Sequence, residues 1–136
     1  MYTLISYEHA LEIHENTRHD YGETEGGVRD DGAPLQSALA RVEMGVHYGQ
    51  YKDVIEAAAA LWESLTMNHP FHNVNKRTAL HIVAMFLREN GIEMGIPLPP
   101  EKEAKVIAVF KTYFADRDAF SLKDGLETLL RDTLIG

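Results

Sequence analysis

The segment NKRTALHIVAMFLREN, residues 75 to 90, is apolar around most of its girth, with Ala79, Leu80, Ile82, Val83, Phe86 and Leu87 spread over several helical faces. A helix with so little surface to offer water predicts a place at the centre of a domain, with other helices packed round it. Gly91 follows it and suits a left-handed helix terminator. The helix before it is predicted from Asp53, a capping residue, to about Asn68. Val54, Ile55, Ala58, Leu61, Trp62 and Leu65 form its apolar face, and Pro70 disfavours helical geometry at His69.

The remaining elements follow the same periodicity. Ser6 caps a helix to about Asp20 with Tyr7, Ala10, Leu11 and His14 inward. YGETEGGVRDDGAP, residues 21 to 34, reads as a loop. Pro34 suits the first turn of a helix reaching about Met44. Residues 45 to 52, GVHYGQYK, read as a short hairpin or an exposed loop, and IEMGIPLPP as irregular chain with room for one short strand. Glu101 to about Tyr113 is helical with Ala104, Ile107, Ala108 and Phe110 apolar. Ser121 and Asp124 form a capping pair for a last helix to Leu134. The expectation is a single domain over residues 1–136, all-α, with about six helices.

Composition narrows the function. With 136 residues and 45% apolar content the chain can build one core. No apolar run is long enough to span a bilayer, and the N-terminus lacks a basic stretch followed by an apolar one, so neither a membrane nor a secretory signal is expected. A formal net charge of -8 makes direct nucleic-acid binding a poor expectation, because that normally requires a basic face. There is no cysteine, which excludes thiolate chemistry and is compatible with a reducing cytoplasm.

The polar chemistry is concentrated in HPFHNVNKRTAL, residues 69 to 80, between the two apolar helices. The first N–H groups of a helix are unpaired and its dipole favours an anion there. Lys76 and Arg77 stand at that end and oppose the dipole, at about 0.3–1 kcal/mol each. Either a bound anion such as phosphate compensates them, or they point into water or pair with nearby acids. Charge alone leaves both open. His69 is placed to act as a general base beside bound phosphate, or simply to hydrogen-bond a loop carbonyl. Phe71 reads as a structural anchor for the loop. A zinc site from His69, His72 and His81 is disfavoured, because Pro70 spoils the helical spacing and His81 lies well along the next helix.

HPFHNVNKRTAL resembles the core motif of the Fic/Doc family, H-P-F-x-(D/E)-(G/A)-N-(G/K)-R. Lys76, where Fic nucleotidyl transferases carry Gly, followed by RTAL, resembles the Doc (death-on-curing) toxin branch. YGETEGGVRDDGAPLQSALAR and FLRENGIEM are similar to that branch too, so the likeness covers about residues 4 to 95. The resemblance implies a compact helical Fic fold with a short flap, which would fall at residues 45 to 52 and align a target peptide by strand addition. It implies transfer of the γ-phosphate of ATP to a threonine of elongation factor Tu, blocking translation; the Fic alternative is transfer of AMP. His69 would deprotonate the target hydroxyl. Asn75 and adjacent backbone N–H groups would hold phosphate oxygens. Lys76 and Arg77 would neutralise charge on the transferring group, and Thr78 would hydrogen-bond within the first turn.

One position departs from the pattern. The acid that helps hold Mg²⁺ is replaced by Asn73, whose carbonyl is uncharged, and Val74 replaces the usual small residue. Weaker magnesium binding and slower transfer are expected, and a non-catalytic binding module becomes a further alternative. The inhibitory motif S/T-x-x-x-E-(G/N) is not matched: Tyr21 precedes Glu25 and Met85 precedes Glu89 at the required spacing. Restraint is therefore expected from a separate antitoxin whose C-terminal segment folds on binding, with the apolar faces of the first helices as its groove.

Overall fold

The computed structural model describes residues 2–23, 26–72 and 75–135. The chain forms six α-helices: α1 (Tyr7–Asp20), α2 (Ala33–His47), α3 (Val54–Asn68), α4 (Asn75–Glu89), α5 (Pro100–Ala115) and α6 (Leu122–Ile135), with a 3₁₀ turn at Asp30–Gly32 before α2. The all-α expectation holds. The predicted caps are in place. Ser6 Oγ accepts from the His9 N–H at 3.1 Å, Asp53 Oδ1 from the Glu56 N–H at 2.9 Å, and Ser121 Oγ from the Asp124 N–H at 3.2 Å.

The centre of the bundle is α3 rather than α4. α3 packs against α2, α4 and α6, whereas α4 packs against α3 and α1. The cause is the run Ala57–Ala60, buried at every position. Consecutive residues step about 100° round a helix, so four small side chains let neighbours approach on every side. Alanine signals helix propensity more than burial, and the sequence reading therefore favoured the bulkier α4. Its inner face is as expected, with Ala79, Ile82, Val83, Phe86 and Leu87 buried. Gly91 ends α4 with φ 85°. Asn90 ties the N-terminal segment to that end, accepting from the Thr3 N–H at 2.8 Å and donating to the Thr3 carbonyl at 2.9 Å.

Two further expectations are corrected. α2 runs through Gly45 to His47 and no hairpin follows. Gly45 is buried beneath Tyr51, whose ring fills the space a Cβ would need, so this glycine serves packing and not a turn. In α5 the buried residues are Phe110 and Tyr113, while Ala104, Ile107 and Ala108 are exposed. α5 rests on α6 and leaves that apolar flank uncovered. Residues 92–99 contain no strand.

Charges bind the start of α3 to α6. Arg131 donates to both oxygens of Asp53 at 3.0 Å and to Glu127 at 2.9 Å; Lys52 reaches Glu127 at 2.8 Å and Lys123 reaches Glu56 at 2.6 Å. The Lys52 hydrogen bond holds the Glu127 carboxyl below its ordinary range, and Arg131 adds to this against the opposing effect of burial. Lys123 lowers Glu56 in the same way. For Asp53 burial raises the pKa, but the Glu56 N–H and Arg131 more than offset it. Carboxyls depressed in the folded chain stabilise it above the ordinary carboxylate pKa of about 4, and that contribution is lost as pH falls through the folded values. Arg131→Met is expected to lower stability at pH 7 by about 1 kcal/mol. The gap to the unmodified chain should narrow as pH falls below about 4 and through the depressed folded carboxyl values, measured by circular-dichroism melts at pH 7 and along the acid limb.

Candidate functional site

The site begins where α3 stops. His69, held ahead of Pro70, adopts a left-handed conformation with φ 42° and ψ 60°. Such a backbone is unusual for a residue with a Cβ and persists only where its surroundings enforce it. Arg29 supplies the enforcement. Its guanidinium donates to the His69 carbonyl at 2.7 Å and reaches the Asn68 carbonyl at 3.4 Å, covering the end of α3. Its backbone N–H donates to the Pro70 carbonyl at 2.9 Å, the His72 N–H donates to the Gly27 carbonyl at 3.3 Å, and Val28 forms an antiparallel bridge with Phe71.

The segment that pairs with the motif is therefore 27–29 from the first loop. Residues 45 to 47 end α2 and Lys52 pairs with Glu127 of α6, and residues 45 to 52 make no backbone pairing with the loop among the described residues. Nothing in the local sequence marks Arg29, since its partners lie some 40 residues away.

The far side of the loop is closed by Asn75. Its Oδ1 accepts from the Phe71 N–H at 2.9 Å and its Nδ2 donates to the Phe71 carbonyl at 2.8 Å. The amide thus engages both backbone groups of one residue, so much of its side-chain capacity serves the loop. Its Nδ2 carries a second proton with no acceptor among the described residues. Phe71 is the expected anchor: it is 2% exposed and stacks on the buried His14 ring at 3.9 Å and 4°.

The polar face is left to solvent. His69 is exposed, as are Lys76 and Arg77. Among the described residues no ion pair includes Lys76 or Arg77, and the first turn of α4 holds no acid. Both are exposed and pair with no acid among the described residues, so a bound anion and a solvated face both remain open as readings. The Arg77 guanidinium lies over the Tyr21 ring at 4.0 Å, which keeps it beside the start of α4. Thr78 is fully buried and its Oγ1 has no partner among the described residues, so the expected bond in the first turn does not form. Asn73, the magnesium position, lies outside the described residues, as do Val74 and Glu25.

His72 is exposed at the loop and His81 half-buried along α4, where burial pushes its imidazole pKa down against the opposing charge of Asp20. Among the described residues no three His, Cys, Asp or Glu side chains are grouped to hold a metal ion. No described helix is long and apolar enough to cross a membrane.

The structure is thus an all-α bundle with an exposed imidazole in the loop that leads to α4 and, at the start of that helix, two exposed cations that pair with no described acid. The Fic/DOC family model matches residues 4–87, and the chain belongs to the Fic/Doc family. Its relatives place it on the Doc branch. It is 31% identical over 90 residues to the protein kinase doc of Escherichia phage P1, covering 66% of this chain and 70% of the relative. It is 33% identical over 96 residues to the toxin Doc of Mycolicibacterium smegmatis, covering 69% and 72%.

Arg29 gives this site a specific expectation. Arg29→Ala removes two charge-assisted contacts and should cost about 1–3 kcal/mol, read by urea denaturation. Both contacts come from one nitrogen, Nη1, so Arg29→Lys, whose ammonium also carries several protons, should recover part of the loss.

Proposed function

We propose that the chain is a Doc-like toxin that transfers the γ-phosphate of ATP to a threonine hydroxyl of elongation factor Tu and so stops translation. The observation that carries the reading is the pair Lys76 and Arg77, unneutralised by any described acid at the positive end of α4, with exposed His69 at the loop that enters it. The family membership and the names of the two relatives support it. Phosphoryl transfer demands little covalent work from the protein; it demands positioning and charge neutralisation.

In this mechanism His69 accepts the proton of the target hydroxyl as its oxygen forms a bond to the γ-phosphorus. The bond from that phosphorus to the bridging oxygen breaks, and ADP leaves with the electron pair. Lys76 and Arg77 stabilise charge spread over the phosphoryl oxygens, and the first N–H groups of α4 and the free amide proton of Asn75 donate to them. Magnesium, when bound, would neutralise the triphosphate further. Asn73 would supply it an uncharged oxygen where the family motif supplies a carboxylate, which favours a slow enzyme as the form of this activity. Restraint comes from a separate antitoxin whose C-terminal segment folds on the toxin. The cytoplasm, where its target resides, is the proposed location.

Transfer of AMP is the enzymatic alternative, and a non-catalytic binding module is the reading that Asn73 supports. Incubation with elongation factor Tu and ATP labelled at either the γ or the α phosphate separates them. Label from the γ position is expected on the target, and label from the α position would establish nucleotidyl transfer. His69→Ala should reduce transfer by about 10²–10⁴-fold, and Asn73→Asp should raise it at limiting magnesium. Absence of transfer to any target by both the unmodified chain and Asn73→Asp would favour the binding module.

A further inference from the structure

Arg77 is exposed in the first turn of α4, yet its side chain has a fixed place. The guanidinium carbon lies 4.0 Å from the centre of the Tyr21 ring, which belongs to the end of α1. That helix end is itself tied down. The Tyr21 N–H donates to the Thr17 carbonyl at 3.1 Å, and Thr17 is buried with its Oγ1 donating to the Ile13 carbonyl at 2.8 Å. Gly22, with φ 68°, turns the chain away directly after the ring. α1 packs on α4, and the charge of Asp20 bears on His81, one turn beyond Arg77. The ring is therefore carried by a helix end held against the helix whose cation it meets.

What holds Arg77 matters as much as the holding. Asp20 and Glu23 flank the ring in the chain, and neither forms an ion pair with Arg77. A carboxylate would take guanidinium N–H groups and cancel the charge. An aromatic face attracts the cation through its quadrupole and accepts no conventional hydrogen bond, so the charge and the donors stay available to a second partner. A free arginine gives up rotamer freedom when it closes on an anion; one already held gives up less. We propose that Tyr21 is a positioning residue for the transferring phosphate: its ring fixes the Arg77 guanidinium at the start of α4 with charge and donors unspent. Tyr21 acts through Arg77 and needs no contact with the phosphate. This assignment rests on the phosphotransfer reading and deepens it, adding a residue of α1 that lies outside the motif.

A double-mutant cycle on the full chain tests it, read by calorimetric titration of inorganic tripolyphosphate. Tyr21 is 44% exposed, so its replacement should leave the fold intact, checked by circular dichroism. Tyr21→Leu should weaken tripolyphosphate by about two- to fivefold, the worth of an exposed cation–π contact. Tyr21→Phe, which keeps the ring, should recover most of that loss. In a chain already carrying Arg77→Gln, Tyr21→Leu should cost nothing further, because the residue through which it acts is gone. A merely structural tyrosine would weaken binding equally with and without Arg77, and that result would overturn the assignment. So would an unchanged affinity in Tyr21→Leu, or a loss in Tyr21→Phe as large as in Tyr21→Leu. Each of these leaves the phosphotransfer reading standing. Failure of the unmodified chain to bind either tripolyphosphate or ATP would remove that reading and the assignment with it.

Discussion

Everything at this site depends on how the chain leaves α3. Pro70 disfavours helical geometry at His69, and the backbone must turn between Asn68 and Asn75 to start α4. The turn is gripped from both sides: Arg29 takes the carbonyls of Asn68 and His69, and Asn75 takes both backbone groups of Phe71. Phe71 in turn is locked against His14 of α1. A left-handed histidine is held by polar contacts on one side and by a buried ring on the other. The carbonyls of Asn68, His69 and Pro70 and both backbone groups of Phe71 are taken by protein partners, while the His69 imidazole and the two cations at the start of α4 are exposed.

The bundle serves this arrangement by fixing two helix ends. The alanine run lets α3 sit among three neighbours, and the ionic ties of Asp53, Glu56 and Glu127 fasten its start to α6. α4 is anchored along its length by Ile82, Val83, Phe86 and Leu87 and at its end by Asn90. Cations at the start of α4 then oppose the helix dipole on a rigid element that does not relax to relieve them. The stability lost there is small beside what the core supplies, and a bound anion, as proposed, would offset it.

Much of this was legible from residue order, because caps and breakers act locally. Ser6, Asp53 and the Ser121–Asp124 pair set helix starts, and Pro70 and Gly91 set helix ends, each through contacts within a few residues. Phe71 was readable as an anchor because a lone aromatic in a polar loop has few other uses. The errors lie where tertiary contact decides. Alanines hid the centrality of α3. Ile107 and Ala108 read as an inner face but are exposed, Ile107 along the cleft between α4 and α5. Gly45 read as a turn but makes room for Tyr51. Arg29 and the pairing of residues 27–29 with the motif had no periodic signature, since they are contacts between distant parts of the chain.

The central claim is that the two cations at the start of α4 are there to hold polyphosphate. It is tested most directly by calorimetric titration of magnesium ATP into the unmodified chain, Lys76→Gln and Arg77→Gln. Both positions are exposed, so the fold should be retained. The account predicts a loss of affinity of at least tenfold in each variant, and a salt dependence in the unmodified chain that flattens when either cation is removed. Equal affinity and equal salt dependence in all three proteins would contradict it.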